Sequence, residues 1–438
     1  MTRPPQAAAA KTAKTDAGLP ARAAALELLS AALSRRAGLE EALTRPGLRA
    51  LEPRDRGFAR ALVMATLRRL GPIDRALEAR LQRAPPDAVR NILRLGVAQA
   101  FLMEVPVFAA VDTSVDLVAQ SKATRPFKGL VNAVLRALLR EPPALDDPEA
   151  LAPQWLYARW RTAFGEADAR AIAALIAEEP ATDLSLRDPA DASALLEPLE
   201  AQPLPGGTLR SALRGDIATW PDYETGRWWV QDASAAIPAR LLGLKPGETA
   251  LDLCAAPGGK TLQLAAAGAQ VVAVDRSAPR LARVTENLAR MGLTAEVTAA
   301  DAAAWDDART FDAVLLDAPC SATGTFRRHP DVLWAARPGD VASLSALQSK
   351  LFDAAARRVK PGGRLVYCVC ALEPEEGEAQ VAAFLGRNRA FAMAPIGEGE
   401  GGSPVASLTR RGTLRILPHH TPGGTDGFFI ARVARIAA

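Results

Sequence analysis

Apolar residues recur at intervals of three and four through residues 21–140, which is the spacing of one face of an α-helix. Proline and glycine interrupt this pattern at RPGL, LGPID, VPVF and ATRPF, so the sequence predicts several helices separated at these points. Asp87 stands before one apolar stripe and is a plausible helix cap. Together these features predict a compact all-helical domain over residues 21–140. The stripes are Leu26, Leu29 and Leu33; Val89, Leu93 and Val97; and Leu130, Val134 and Leu138.

A change of composition marks the end of this domain. Residues 141–153, EPPALDDPEALAP, are rich in proline and acidic residues and predict a connector. The segments WLYARWRTAF and ADARAIAALIAEE that follow are helical in pattern, while TDLSLRD is typical of a short strand. We therefore expect a linker and a small α/β subdomain over residues 141–227. At the other end of the chain, residues 1–20 are interpreted as a disordered tail, with a transit peptide as the alternative because they are basic and poor in acid.

From residue 228 the pattern changes to short apolar runs that alternate with helical stretches. Runs such as TALDLC, AQVVAVD, FDAVLLD and GRLVYCV are apolar along their length, unlike the alternating pattern of a half-exposed strand. Strands of this kind, separated by helices, predict a parallel sheet covered on both faces over residues 228–438. The final segment, GFFIARVARI, is interpreted as a closing edge strand.

Composition indicates an ordinary globular protein of the reducing cytoplasm. The chain has 438 residues, of which 49% are hydrophobic and 23% are charged. No apolar run approaches the ~20 residues that a membrane-spanning helix needs, so we expect no membrane partner. Four cysteines in a chain of this length do not form a disulfide framework, and this favours a reducing compartment.

Positive charge is concentrated in the helical region. The formal net charge of the whole chain is only +4, yet residues 21–140 contain 20 Lys and Arg residues against 11 Asp and Glu residues. Such asymmetry indicates a polyanionic partner such as a nucleic acid. The alternative is a set of solvated helix faces, and charge alone leaves both interpretations open.

One strand, glycine turn and helix form the candidate cofactor site. The segment ALDLCAAPGGKTLQLA matches neither a Walker A loop nor the dinucleotide pattern G-x-G-x-x-G. Asp275 ends the next strand and is placed to bind ribose hydroxyls, while the glycine turn allows backbone to approach a ligand. Without a phosphate loop, the adenosine-bearing ligand is expected to be S-adenosylmethionine; a generic sheet-to-helix turn is the alternative. Asp301 follows a strand-like segment and is a candidate for the adenine amino group or for a helix cap.

A second motif, FDAVLLDAPCSATGTFRRHPDVLW, places reactive groups at the same edge of the sheet. Asp317 ends its strand and Cys320 follows it, and ligands bind at the carboxyl ends of strands in open α/β sheets. Arg327 and Arg328 come shortly afterwards and are candidates for phosphate contacts.

The cysteines fall between residues 254 and 370, each near the end of an apolar run. Cys368 and Cys370 share one face of their strand but, being so close in sequence, do not readily form a disulfide. A zinc site would need histidines or a Cys-x₂-Cys pair, so no metal is expected. Cys368 lies deeper in the strand and is interpreted as buried. Cys370 and Cys320, at two strand ends, converge on one crevice and indicate covalent catalysis.

A thiol beside a methyl donor points to carbon 5 of a pyrimidine. Oxygen and nitrogen already carry lone pairs and need only a base, whereas carbon 5 is a poor nucleophile. Addition of a thiolate at carbon 6 makes carbon 5 nucleophilic, and Asp317 could stabilise the adduct by acting at N3. A base then removes the proton from carbon 5 and the thiol leaves. The target base must be single-stranded or flipped out of its stack.

These motifs resemble those of a known family. The segments DLCAAPGGKT, VVAVDRS, LLDAPCSATGTFRRHPD and YCVCALEPEE resemble the cofactor and catalytic motifs of the Nop/Sun family of RNA 5-methylcytosine methyltransferases. The helical front end is similar to the NusB-like domain of the bacterial Sun-type enzymes that modify 16S ribosomal RNA. The resemblance implies an all-α NusB-like, RNA-binding N-terminal domain and an α/β Rossmann-like class I methyltransferase domain. It also implies a cytoplasmic enzyme, expected to be a monomer, that acts on RNA with S-adenosyl-L-methionine.

The resemblance assigns roles by position. Cys370 would be the nucleophile, Cys320 would assist release of the product, and Asp317 would be a third catalytic residue. The family usually has Ser or Thr around the nucleophile, where this chain has Cys368, Val369 and Ala371. An amino-methyltransferase on RNA or protein and a non-catalytic RNA-binding assembly factor are the alternatives. The residues implied to bind the cofactor are Cys254, Ala255, Ala256, Pro257, Gly258, Gly259, Lys260, Asp275, Asp301 and Asp317.

Overall fold

The structure, a computed structural model, describes residues 18–34, 38–43 and 46–437. Residues 1–17 of the predicted tail lie outside the described residues. The chain divides into two compact units. The first contains the described residues of Met1–Thr162 with Ala169–Glu178 and His329–Ala335, and the second contains Ala163–Asp168, Glu179–Arg328 and Ala336–Ala438.

The first unit is helical, as its periodicity predicts. Val89, Leu93 and Val97 are fully buried, and Leu29 lies in the same apolar core. The neighbours of Leu29 on its stripe are only partly buried. The helices are α1 (Leu19–Leu33), α2 (Gly38–Leu43), α3 (Pro46–Arg49), α4 (Pro53–Arg68), α5 (Leu70–Glu78), α6 (Asp87–Leu102), α7 (Val107–Ala119), α8 (Lys128–Arg140), α9 (Pro148–Leu151), α10 (Gln154–Phe164), α11 (Glu166–Ala174) and α16 (Asp331–Ala335), of which α10 and α11 extend into the second unit.

LGPID marks a boundary between two helices, as predicted, but the segment itself is helical. Arg69 separates α4 from α5, and α5 includes LGPID because Pro72 occupies the first turn, where a helix needs no backbone N–H from it. RPGL likewise contributes α3, which begins at Pro46. Asp87 is the first residue of α6, and Pro86 occupies the cap position. In the first turn the Asp87 carboxylate still interacts favourably with the helix dipole.

The second unit contains a small antiparallel sheet and a large mixed sheet. The strands are β1 (Thr182–Leu186), β2 (Ala201–Leu204), β3 (Thr208–Ser211), β4 (Trp228–Val230), β5 (Thr249–Leu253), β6 (Gln270–Asp275), β7 (Glu296–Ala299), β8 (Phe311–Asp317), β9 (Val359–Val369), β10 (Phe391–Met393), β11 (Leu414–Ile416) and β12 (Phe428–Arg435). The small sheet has the order β2-β3-β1-β4 and includes the strand predicted at TDLSLRD. The large sheet has the order β10-β12-β9-β8-β5-β6-β7, with β11 also paired to β12.

The parallel part of the large sheet is covered on both faces, as predicted. Strands β7, β6, β5, β8 and β9 run parallel. Along β8, Val314 and Leu316 belong to one apolar core, while Ala313 and Leu315 belong to the other. The remaining helices of this unit are α12 (Ala192–Leu195), α13 (Ala233–Leu241), α14 (Gly259–Ala266), α15 (Ala278–Met291), α17 (Pro338–Arg357) and α18 (Glu378–Arg387).

The prediction of a closing edge strand at GFFIARVARI is wrong. Strand β12 is antiparallel to β9 on one side and pairs with β10 and β11 on the other. Four consecutive residues, Phe428 to Ala431, are buried, as expected of a strand with neighbours on both sides and cores on both faces.

The chain order of the parallel strands locates the candidate site. From β5 the chain moves to β6 on one side and later returns to β8 on the other, so β5 and β8 flank a topological switch point. Open α/β sheets bind ligands at the carboxyl ends of strands at such a point. Cys254 follows β5, Asp317 ends β8 and Cys370 follows β9, so three predicted residues lie at this edge.

Candidate active site

A cavity of about 620 Å³ lies at this edge of the sheet, within the second unit. This volume lies within the range of about 300–1,000 Å³ that is typical of small-molecule sites. Most of the predicted site residues line the cavity, and Arg328 and Phe428 join them. The predicted residues that line it are Cys254, Ala255, Ala256, Pro257, Gly258, Gly259, Lys260, Asp317, Cys320 and Cys370.

The turn between β5 and α14 is held close to its neighbours. Cys254 and Gly258 have positive φ angles of 61° and 102°. A Cβ atom on Gly258 would lie 3.0 Å from the Val284 side chain, so both the backbone angle and the contact favour glycine there. Burial raises the pKa of the Cys254 thiol to about 12, so this side chain is a neutral part of the wall. The turn therefore presents backbone rather than bulky side chains to the cavity.

Asp275 lies behind this turn. Its carboxylate is 4% exposed and accepts hydrogen bonds from the backbone N–H groups of Ala256 (3.1 Å) and Ser277 (2.9 Å). It braces the turn but is not among the residues lining the cavity. Asp301 is exposed, accepts a hydrogen bond from the Ala303 N–H at 3.0 Å, and does not line the cavity either. Their predicted contacts with ribose and adenine stay predictions.

The two predicted catalytic thiols lie side by side. Cys320 Sγ and Cys370 Sγ are 3.5 Å apart, within hydrogen-bonding distance for sulfur. The hydrogen bond with Cys370, together with burial, raises the pKa of Cys320 well above its ordinary value. Cys320 therefore keeps its proton and can donate it to the Cys370 sulfur. Among the described residues, no group of three or more His, Cys, Asp or Glu side chains is arranged to hold a metal ion.

Asp317 lies between a cation and a third thiol. Lys260 Nζ is 2.8 Å from Asp317 Oδ2, and although burial opposes the charged ammonium group, the Asp317 charge raises the pKa of Lys260. Cys368 is fully buried, and its Sγ donates to Asp317 Oδ1 at 3.4 Å. Burial, reinforced by Asp317, raises the pKa of Cys368 well above its ordinary value. Cys368 is thus a buried neutral thiol that helps to orient Asp317.

The two arginines after the second motif differ in position. Arg328 lines the cavity and donates from Nε to Asp426 Oδ2 at 3.0 Å. Arg327 is 2% exposed and donates from Nη2 to the Gly423 carbonyl oxygen at 2.6 Å. A phosphate group in the cavity could reach Arg328, but the interior position of Arg327 does not support the phosphate contact predicted for it.

Two buried carboxyl groups beside the thiols were missed by reasoning from the sequence. Glu373 and Glu376 are 1% and 0% exposed, and both contact the hydroxyl of Ser321, the residue after Cys320. They belong to the segment YCVCALEPEE, where their charge suggests a solvated loop. Their position directly after a buried strand that ends at a ligand cavity was the available signal.

Comparisons with known proteins agree with this geometry. Residues 239–434 match the family model described as 16S rRNA methyltransferase RsmB/F, and residues 19–140 match the NusB family model. A crystal structure of the protein PH0851 has a TM-score of 0.78 at 24% identity and covers 95% of this chain and 98% of its own. A methyltransferase homologue from Pyrococcus horikoshii has a TM-score of 0.55 at 26% identity and covers 69% of this chain and 98% of its own.

Full-length relatives extend the match over nearly the whole chain. Ribosomal RNA small subunit methyltransferase B of Pseudomonas syringae pv. tomato is 37% identical over 442 residues, covering 95% of this chain and 97% of its own. The protein of the same name from Erwinia tasmaniensis is 37% identical over 366 residues, covering 80% of this chain and 82% of its own. The chain therefore belongs to the RsmB/F family of 16S rRNA methyltransferases, with an N-terminal NusB domain and a C-terminal methyltransferase domain.

Proposed function

We propose that this protein methylates carbon 5 of a cytosine in 16S ribosomal RNA and that Cys370 forms a covalent bond to carbon 6 of that cytosine during the reaction. The observation that carries the proposal is the pair of sulfur atoms 3.5 Å apart at the cavity that also contains the glycine turn. Methyl transfer to nitrogen or oxygen requires no such pair, so the thiols favour carbon 5 over the amino-methyltransferase alternative.

The residues present fit S-adenosyl-L-methionine, the methyl donor of this family. The turn from Cys254 to Lys260 presents backbone to a cavity large enough for the donor and a base. The Asp275 carboxylate lies beside this turn and has lone pairs that its backbone contacts do not use. It is proposed to accept hydrogen bonds from the ribose hydroxyls. Asp301 is proposed to accept a hydrogen bond from the adenine amino group. When bound, S-adenosyl-L-methionine supplies an electrophilic methyl group.

The cysteine pair and Asp317 are proposed to act on the base. The Cys370 sulfur adds to carbon 6 while its thiol proton is transferred to N3, and the electron pair released from the double bond between carbons 5 and 6 makes carbon 5 nucleophilic. Asp317, held by Lys260, stabilises the protonated N3 edge of the adduct. After methylation a base removes the proton from carbon 5, the double bond re-forms and the bond between carbon 6 and sulfur breaks. Cys320 then donates its thiol proton to the departing Cys370 sulfur.

The proposed substrate is RNA, and features of both units of the chain support it. Family membership and the NusB match imply an RNA substrate, and the excess of Lys and Arg in residues 21–140 suits a polyanion. Arg328 is proposed to contact a phosphate of the target strand. A cytoplasmic location and a monomeric state complete the proposal; all four cysteines are free thiols, which suits a reducing compartment. No helix among the described residues has both the length and the apolar character needed to cross a bilayer.

Bisulfite sequencing of 16S ribosomal RNA tests the proposed reaction. One protected cytosine should be lost from a strain that lacks the gene and restored by the wild-type protein expressed from a plasmid. Loss of an N-methylated position, with every protected cytosine retained, would instead support the amino-methyltransferase alternative.

Asp275→Ala is expected to weaken binding of S-adenosylhomocysteine about ten- to hundredfold, since a hydrogen bond to a charged group contributes roughly 1.5–3 kcal/mol. Isothermal titration calorimetry measures this effect. The control is Glu286→Ala, which removes an exposed carboxylate on α15, outside the cavity lining, and should leave binding unchanged. Equal affinities for Asp275→Ala and the wild type would contradict the proposed ribose contact.

A further inference from the structure

Behind the two thiols, Glu373, Glu376 and Ser321 share a short chain of contacts. Ser321 Oγ lies 2.5 Å from Glu376 Oε2 and 3.0 Å from Glu373 Oε2. Thr323 Oγ1 donates to Glu373 Oε2 at 2.5 Å and accepts from the Leu372 N–H at 3.0 Å. Both glutamates are almost completely buried, so these contacts are shielded from solvent.

The number of protons in this chain determines the charge of one carboxyl group. Thr323 accepts from a backbone N–H, so its own proton goes to Glu373. Ser321 has a single hydroxyl proton and contacts two carboxyl groups. An ionised carboxylate only accepts hydrogen bonds. If both glutamates were ionised, one of the two Ser321 contacts would join two oxygen atoms without a hydrogen between them. One of the two carboxyl groups is therefore protonated.

A proton on Glu376 satisfies this count. Its Oε1 accepts from the Ser321 N–H and from Gln348 Nε2, each at 2.9 Å, which leaves Oε2 as the oxygen that carries the hydrogen. Burial raises the pKa of Glu376 above its ordinary value, and the hydrogen bonds from Ser321 and Gln348 offset this rise only in part. With the proton on Glu376, Glu376 Oε2 donates to Ser321 Oγ, and Ser321 Oγ donates to Glu373 Oε2.

This chain restrains Cys320 on both sides. Ser321, which follows Cys320, is bound to Glu376 through both its N–H and its hydroxyl. Pro319, which precedes Cys320, accepts from the same Gln348 Nε2 that donates to Glu376. Glu376 thus connects the loop that carries Cys320 to the segment that follows Cys370. The two sulfur atoms that lie 3.5 Å apart belong to the two segments that Glu376 connects.

We propose that Glu376 is a positioning residue which, as a neutral carboxyl group, holds the Cys320 thiol against the Cys370 sulfur and so controls release of the methylated RNA. This inference rests on the proposed function, because it assigns Glu376 to the release step of the same reaction. Glu376 itself does not line the cavity and acts through Ser321.

Replacing Glu376 with glutamine tests whether Glu376 acts as a neutral or as a charged group. The full-length variants Glu376→Gln and Glu376→Ala are incubated with S-adenosyl-L-methionine and labelled 16S rRNA transcript. Covalent adduct is measured on denaturing gels beside turnover. Glutamine keeps an acceptor for the Ser321 N–H and a donor for Ser321 Oγ, so we expect turnover within about twofold of wild type. Alanine removes both bonds, and we expect about tenfold more adduct with lower turnover.

A second variant covers the case in which Glu376→Ala does not fold, as judged by thermal unfolding. Ser321→Ala removes the shared hydroxyl while keeping both glutamates, and it should also accumulate adduct. Glu398→Gln, at an exposed glutamate, is the matched control and should behave as wild type. The inference is overturned if Glu376→Gln accumulates as much adduct as Ser321→Ala, because an ionised carboxylate would then be required. Wild-type adduct levels in Ser321→Ala would overturn it as well.

The variant Cys320→Ala distinguishes a failure of this inference from a failure of the proposed methylation reaction. If Cys320→Ala gives no adduct that depends on Cys370, the proposed reaction itself fails. If that adduct forms while the Glu376 and Ser321 variants release product normally, the reaction stands and only the role of Glu376 is lost.

Discussion

Replacing Cys370 with alanine is expected to abolish methyl transfer while leaving the affinity for S-adenosylhomocysteine within about twofold of wild type. The Cys370 sulfur is proposed to bond to the cytosine, and without that bond carbon 5 is not nucleophilic enough to react. The cofactor turn from Cys254 to Lys260 is built on β5 and α14, whereas Cys370 follows β9, so its loss leaves the turn intact.

Two measurements on the same preparations test this expectation. Transfer of a radiolabelled methyl group to 16S rRNA reports the reaction, and calorimetry with S-adenosylhomocysteine reports cofactor binding. Cys368→Ser is the matched control, since it removes the thiol two residues before Cys370 while keeping a donor for Asp317. We expect the control to retain most of its turnover. Turnover near the wild-type level in Cys370→Ala would mean that another group is the nucleophile.

Elements with a strong local signal could be predicted from the sequence alone. The parallel strands are continuous apolar runs bounded by helices, and the predicted residues at the carboxyl ends of β5, β8 and β9 line one cavity, as expected. Cys368 and Cys370 pack on the same side of the sheet, as the period of two requires. These conclusions depend only on residues that are near one another in the chain or on a general property of α/β sheets.

Features that depend on distant partners could not be predicted. The interior position of β12 depends on β10 and β11, whose short runs carry little local signal. The buried state of Arg327 depends on Gly423, and that of Glu376 on Ser321 and Gln348. From the sequence alone, a charged residue is interpreted as exposed and a terminal apolar strand as an edge strand. Only the contacts with residues distant in the chain show that these residues are buried.

Replacing Cys320 with alanine should produce the opposite defect to Cys370→Ala. Cys370 can still add to the cytosine, but the thiol proton available to the departing sulfur is gone, so release slows and the protein accumulates bound to RNA. The adduct should survive denaturing gel electrophoresis because it is covalent. It should require S-adenosyl-L-methionine if it forms after methylation.

The double variant Cys320→Ala/Cys370→Ala identifies the sulfur that carries the RNA. Cys320 and Cys370 are within 3.5 Å of each other, so either could be suspected of forming the bond. If Cys370 is the nucleophile, the adduct seen with Cys320→Ala disappears completely in the double variant, while Cys320→Ala/Cys368→Ser retains it. Cys368 is buried and donates to Asp317, so its removal should not prevent addition to the base. An adduct that persists in the double variant would assign the bond to a residue other than Cys370, and the mechanism proposed for this cavity would be wrong.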